Sequence, residues 1–426
     1  MKTVLRMTLV VLCIIALSPI QFRADTPKRE TDNEFILRVE KDSFNFFLSQ
    51  VNRDNGLFPD SSRAGSPCSI AATGFGLAAM CIGVENKWIS KNDAYLLMLQ
   101  TLKTFRNTLE NQHGFYYHFL DMQTTKRVWD CEISSIDTAL FIAGALTAGE
   151  YFKGTEIEQL ANELYNRVDW QWMTNGRKTL CMGWKPDRGF LPYYWESYNE
   201  LMILYALAIS APEHGIPAES WNEWARPKGQ LGGREFIYCF TGSLFVYQYS
   251  HAWIDFRNKR DNFANYWDNS LEATLANRQF CIDNTRTYQG FGENMWGVTA
   301  CVGPSGYKGY GGGPGNPTCD GTIAPSAAAG SIPFCPEICI SALRNIYDQY
   351  SDKIYGPYGF RNSFNIGSDW WCDEYLGIDT GITLLMIENY RTGFVWKYFM
   401  GHPAIKKWIS DSFKTDIKAE QRKEEK

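Results

Sequence analysis

Apolar residues recur along most of this chain with helical spacing. From Glu34 to Val51 they fall at Phe35, Ile36, Val39, Phe44, Phe46, Phe47 and Val51, close to a 3.6-residue repeat. The same pattern predicts helices over 70–83, 91–110, 134–152, 156–170, 198–210, 233–251, 260–281, 336–350, 380–391 and 402–412, with a short one near 322–330. Alternating, period-two runs are scarce, and Gly114 to Leu120 is the best strand candidate. Ser90 is a natural N-cap for the helix that follows it. Ala211-Pro212 closes another, because proline disfavours helical geometry in the residue before it. Gly303 to Gly321 holds eight Gly and three Pro, too many for a regular element, so it is an extended loop.

About twelve helices with long loops at alternate connections predict six helical hairpins closed into an all-α (α/α)6 toroid, its loops forming a cleft. A stacked solenoid would carry a sequence repeat of roughly 30–50 residues, and none is present. No Ser/Pro tract or composition shift divides the chain. Residues 25–426 are therefore expected to form one domain with a charged, frayed tail from Lys414.

Lys2 and Arg6 lead into the apolar run Met7 to Leu17, the pattern of a secretory signal, taken here as residues 1–24. The run is too short to span a bilayer, and no later stretch of about 18 apolar residues exists. Leu12 precedes Cys13 where lipidation expects a small residue, so a lipid anchor is not expected. The protein should be exported, periplasmic or extracellular, and act as a monomer. Beyond Cys13 there are eleven cysteines, an odd number, so at least one is unpaired within a monomer. Cys335 and Cys339 stand four apart, on one helix face and at the wrong spacing for a zinc knuckle. With five His and none spaced as a ligand pair, no metal or other cofactor is expected. The net charge of −5 without a Lys/Arg block in the body argues against nucleic acid.

Aromatic residues make up 15% of the chain, more than a helical core needs, so some should line a cleft. Three segments mix carboxylates with such rings: Trp129-Asp130-Cys131-Glu132 running to Asp137, Trp195-Glu196-Ser197-Tyr198-Asn199-Glu200, and Asp369-Trp370-Trp371-Cys372-Asp373-Glu374 running to Asp379. Flat rings suit pyranose faces, and paired carboxylates supply the acid and base of glycosidic cleavage. Each site also has a plainer reading. Ser134 with Asp137, and Ser197 with Glu200, fit capping boxes, and Asp379 fits an N-cap. In the glycine-rich loop, Tyr307 and Tyr310 are available to touch sugar.

Taken together, Glu132-Ile133-Ser134-Ser135-Ile136-Asp137-Thr138-Ala139-Leu140, Tyr198-Asn199-Glu200-Leu201-Met202-Ile203-Leu204-Tyr205 and Trp296-Gly297-Val298-Thr299-Ala300 resemble the bacterial glycoamylase-like domain. So do Asp320-Gly321-Thr322-Ile323-Ala324-Pro325, Gly377-Ile378-Asp379-Thr380-Gly381 and Ile387-Glu388-Asn389-Tyr390. Within it the chain is most similar to the endo-β-1,2-glucanases of glycoside hydrolase family 144. That resemblance implies an inverting (α/α)6 enzyme acting on β-1,2-glucan without metal. It also implies one catalytic carboxylate in the Tyr198-Asn199-Glu200 segment and a second between Asp369 and Asp379. Thr380 stands where the family often has Gln.

The expected assignment is Glu200 as proton donor and Asp379, or else Asp373, as the base that activates water. Asp130, Glu132, Asp137, Trp195, Glu196, Tyr198, Tyr307, Trp370 and Trp371 would bind the substrate. The rival readings are a toroid of other linkage specificity or transglycosylase activity, and a glycan-binding protein without catalysis.

Overall fold

The computed structural model describes residues 30–416, so the expected signal at 1–24 and most of the charged tail lie outside the described residues. The chain is predominantly helical. In order the helices are α1 (Asp32–Gln50), α2 (Ile70–Glu85), α3 (Lys91–Asn107), α4 (Ser135–Tyr151), α5 (Glu156–Arg167), α6 (Trp170–Met173) and α7 (Met202–Ser210). There follow α8 (Tyr249–Trp253), α9 (Tyr266–Asp283), α10 (Pro325–Ala329), α11 (Pro336–Ile354), α12 (Gly377–Thr392), α13 (Phe394–Phe399) and α14 (Pro403–Ser412).

Two kinds of helix alternate, and burial separates them. α2, α4, α7 and most of α12 are buried on every face, as an interior helix must be. α1, α3, α5 and α14 bury one stripe and expose charged residues on the other. The inner contacts run from α2 to α4, α7, α8, α12 and back to α2, with α10 against α12; α1, α3, α5, α11 and α14 pack outside them. Backbone proximity explains two of the inner glycines. A Cβ on Gly74 would meet the Leu140 carbonyl oxygen at 2.2 Å, and one on Gly144 would meet that of Gly74 at 2.1 Å.

Several boundaries follow the sequence closely. Ser90 caps α3 by accepting from the Asp93 amide. α7 stops at Ser210, with Ala211 extended before Pro212.

Others differ, each for a local reason. The stretch 233–251 is not one helix. Gly232 and Gly233 both take positive φ and join strands Lys228–Leu231 and Arg234–Ile237 as a hairpin, the turn that consecutive left-handed residues favour. Only Tyr249–Trp253 of that stretch is α-helical. The helix expected from 260 begins at Tyr266, where Asn265 caps it. Gly114 to Leu120 divides in two: Phe115–Tyr116 pairs with Asn111–Gln112, and Phe119–Leu120 with Cys68–Ser69. The tail does not fray at Lys414, because Lys414–Thr415 pairs with Lys259–Arg260. No helix among the described residues is long and apolar enough to cross a membrane.

Candidate active site

The N-terminal ends of the inner helices open into one cleft of ≈ 820 Å³, within the size range of small-molecule sites. Its wall comes from the turn before α2, the first turn of α4, the residue pair before α7, the approach to α8, and the start of α12. Connections that look irregular in sequence are therefore the parts that build the site.

Glu200 stands in this wall, two residues before α7. It caps nothing: the N-cap of α7 is Leu201, without a side-chain cap bond, and the Leu201 amide is taken by Asn199. Burial pushes the Glu200 carboxyl up to about 7, and the negative charge of Asp137 adds to the rise. A carboxylic acid that keeps its proton near neutrality is what general-acid catalysis needs.

Asp137 also lines the cleft, at the first turn of α4. Ser134 caps that helix and also donates to Asp137 Oδ2 at 2.5 Å. The other Asp137 oxygen faces His118 Nε2 at 3.4 Å, while His118 Nδ1 lies 3.1 Å from Glu132 Oε1. His118 comes from the break between two short strands, where its amide donates to the Glu132 carbonyl at 3.0 Å. Burial would lower the imidazole pKa, but Asp137, Glu132 and Asp60 outweigh it and hold His118 above its ordinary value. Glu132 is lowered in return: burial opposes, and the His118 contact prevails. The ligand atoms of His118, Glu132 and Asp137 lie within 4.8 Å of one another and could hold a metal ion. Both imidazole nitrogens already face carboxylates, so a bound cation would have to displace one of those contacts.

Asp379 is placed differently from Glu200. It sits in the first turn of α12, not at its N-cap, which is Leu376. Its carboxylate accepts from Asn362 Nδ2 and lines a narrow crevice with Ser326 and Thr383 rather than the open cleft. Tyr249 and Tyr307, which do line the cleft, are raised first by burial and next by the Asp379 charge. Burial lifts the Asp379 carboxyl to about 7 against the Asn362 hydrogen bond.

Of the other expected residues, Tyr307 and Trp370 reach the cleft. Tyr307 is carried there by the Cys301–Gly303/Gly306–Lys308 hairpin, and Trp370 by the strand Trp370–Trp371. The remainder need correction. Trp195 is buried and its indole N–H donates to Ser135 Oγ at 2.8 Å. Tyr198 is buried among Trp224, Tyr247 and Tyr266. Tyr310 is buried with its hydroxyl on Asp320 at 2.7 Å. Trp371 stacks on Phe364 and bonds Asp369. Asp130 pairs with Arg127 and Lys185 outside the cleft, and Glu196 and Asp373 are exposed away from it. Glu132 stands behind His118 and does not line the cleft itself.

Sequence reasoning also missed residues. Asp60, Arg63, His118, Phe245 and Tyr249 all line the cleft, and no motif marks them. Asp60 is raised to about 6 by burial against the opposing pull of His118. Trp129 and Glu374 lay inside the quoted segments without being assigned. Glu374 pairs with Arg63 at 3.1 Å. Trp129 is 66% exposed at the rim, tilted against Phe119.

The family model Glycoamylase, described as "Putative glucoamylase", matches residues 192–403. A crystal structure of the same description from Bacteroides uniformis is 31% identical, covers 91% of this chain and 99% of its own, and superposes with a TM-score of 0.86. The chain belongs to the glycoamylase family. A second member, the endo-β-1,2-glucanase from Chitinophaga pinensis solved with sophorotriose and glucose, is 30% identical over 90% of this chain and 99% of its own, with a TM-score of 0.82. The exo β-1,2-glucooligosaccharide sophorohydrolase (non-reducing end) of Parabacteroides distasonis is 29% identical over 418 residues, 89% of this chain. The chain spans 58% of that relative's length.

Proposed function

We propose that this family member hydrolyses β-1,2-linked glucan to short oligosaccharides, cutting within the chain and inverting the anomeric centre. The observation that carries this reading is Glu200, uncapped and raised to about 7 by burial, in the wall of a cleft that also presents Trp129, Tyr307 and Trp370. Glu200 protonates the leaving glycosidic oxygen. Asp379, held by Asn362 in the crevice at the start of α12, takes the proton from the attacking water. Asp373 is set aside because it is exposed outside the cleft. Asp137, oriented by Ser134 and His118, binds sugar hydroxyls.

The names of both β-1,2-glucan relatives support the linkage. The name of the endo-acting relative supports an internal cut. We read the inner ring and its outer partners as six helical hairpins in an (α/α)6 toroid, with 25–426 as one catalytic domain. The Lys2–Leu17 pattern supports export to the periplasm or beyond, and the enzyme is taken to act as a monomer.

Incubation with linear β-1,2-glucan, followed by chromatography of the products over time, tests the reading. A ladder of short oligosaccharides is expected early. Activity on α-1,4-glucan alone, or release of a single disaccharide from the first minutes, would overturn the linkage or the endo mode respectively.

A further inference from the structure

Eleven cysteines of the described chain are free, and nine of them are buried. Two behave differently from the rest. Cys335 Sγ and Cys339 Sγ lie 3.6 Å apart. Cys335 is half-buried, whereas Cys339 is fully buried. Neither lines the cleft or the Asp379 crevice.

Cys335 is not within the helix, as the spacing alone suggested. It is the N-cap of α11, with φ −148° and ψ 75°, followed by Pro336 at the first helical position. Its side chain is thus free of the rotamer limits that a helical turn imposes. Four residues along a helix rise about 6 Å, inside the range of about 4.4–6.8 Å between Cα atoms that a disulfide requires. The Cys339 amide donates to the Cys335 carbonyl at 3.1 Å, which holds the two residues in register.

We propose that Cys335 and Cys339 are a reactive dithiol that exchanges with disulfide oxidants and closes to an intramolecular disulfide across the first turn of α11. The half-buried Cys335 is the thiol an oxidant can reach. As thiolate it attacks one sulfur of the oxidant RSSR. The oxidant's S–S bond breaks, RS⁻ leaves and takes up a proton, and a mixed disulfide remains on Cys335. Cys339 then attacks Cys335 Sγ, and the second RS⁻ leaves with the Cys339 proton as RSH. The two protein thiols are oxidised, and one disulfide is reduced to two thiols. Burial pushes the Cys339 thiol well above its ordinary pKa, so it does not start the exchange; its attack on the mixed disulfide rests on the 3.6 Å between the two sulfurs. The product ties the N-cap of α11 to its fourth residue, immediately after the short loop from α10.

The test treats the folded protein with oxidised glutathione, alkylates the remaining thiols after unfolding, and maps the peptides by tandem mass spectrometry. The expected product lacks two hydrogens, about 2 Da, with Cys335 and Cys339 joined and the other thiols alkylated; dithiothreitol restores it. Cys339→Ser should stop at a stable glutathione adduct on Cys335, and Cys335→Ser should leave Cys339 unreacted. Cys335→Ser alters a half-buried position, so it keeps the test readable if Cys339→Ser fails to fold. A persistent adduct on wild-type Cys335, a disulfide between other cysteines, or no oxidation would each overturn the proposal. None of these outcomes depends on glucan hydrolysis.

Discussion

His118 Nε2 and Asp137 Oδ1 face each other 3.4 Å apart in the cleft wall, and the second imidazole nitrogen rests on Glu132. The contact favours the charged imidazole beside a group of carboxylates that includes Asp60, and Asp137 in turn raises Glu200. His118→Phe removes that charge and leaves Asp137 uncompensated. Asp60 and Glu200 should both bind their protons more tightly. The alkaline limb of kcat/KM should move to higher pH by a fraction of about one unit, since the imidazole acts on Glu200 through Asp137. A purely structural His118 would change stability and leave the limb where it was.

Glu200→Gln keeps the shape of the side chain and removes the transferable proton. Turnover should fall by about 10²- to 10⁴-fold. Stability carries a second signature. The folded pKa of Glu200 is raised from 4.5 to about 7, so the native state holds this proton where the unfolded chain has lost it. The stabilising contribution is complete below 4.5 and is lost as pH rises through 7. The variant should therefore gain on wild type in melting temperature at pH 8 compared with pH 4. An equal difference at both values would mean that Glu200 is not held as a neutral acid.

The proposed mechanism needs Asp379 ionised and Glu200 protonated at the same time, and burial lifts both carboxyls to about 7. Activity should fall on the acid side as Asp379 gains its proton and on the alkaline side as Glu200 loses its own. The result is a narrow bell centred near 7, whose apparent pKa values belong to the pair. A broad plateau from pH 5 to 9 would exclude this pairing.

One-step displacement of a β-linkage releases the α-anomer first, which proton NMR of a fresh reaction reads directly. Asp379→Asn should suppress that product, whereas Asp373→Asn, at an exposed site, should leave it. Loss of the product in Asp60→Asn with Asp379→Asn active would move the base to Asp60, which faces the cleft directly. An initial β-anomer would require a retaining double displacement, with carboxyls only about 5–5.5 Å apart.

Trp129 and Asp130 both hold positive φ, 57° and 50°, a conformation bulky residues seldom adopt. Arg127 and Lys185 clasp Asp130 and keep the turn in place, so the Trp129 ring stands out at the rim. Trp129→Ala should raise KM for long glucan about 10-fold, the size of one lost ring contact of ~1.4 kcal/mol. The shortest cleavable oligosaccharide, which does not reach the rim, should keep its KM. Equal losses on both would place the ring at the reacting sugar instead.

Helix periodicity was legible where a helix buries a stripe or a whole surface. α1, α2, α3, α5 and α14 lie within a few residues of their expected bounds. It failed at 233–251, because Phe236, Ile237, Leu244 and Phe245 have helical spacing by coincidence while Gly232-Gly233 turns the chain. The site divides in the same way. Asp137, Glu200 and Trp370 were picked from clusters of carboxylates and rings near helix entrances, Tyr307 from the glycine-rich loop, and all four line the cleft.

Which neighbours of those residues face the sugar is a different matter. Trp195 and Tyr198 precede Glu200 by only a few positions, yet the turn before α7 sends their rings into the core and its carboxylate outward. Chain proximity says nothing about that choice. His118 is 14 residues from Glu132 in sequence and meets it because Tyr117 bridges Ile133 and the His118 amide donates to the Glu132 carbonyl just before α4. Local pattern determined the helices, the family and the acids available for chemistry, because spacing and side-chain type are properties of the chain itself. Tertiary packing decided which acids are buried enough to hold a proton at neutrality, because desolvation depends on neighbours from distant segments.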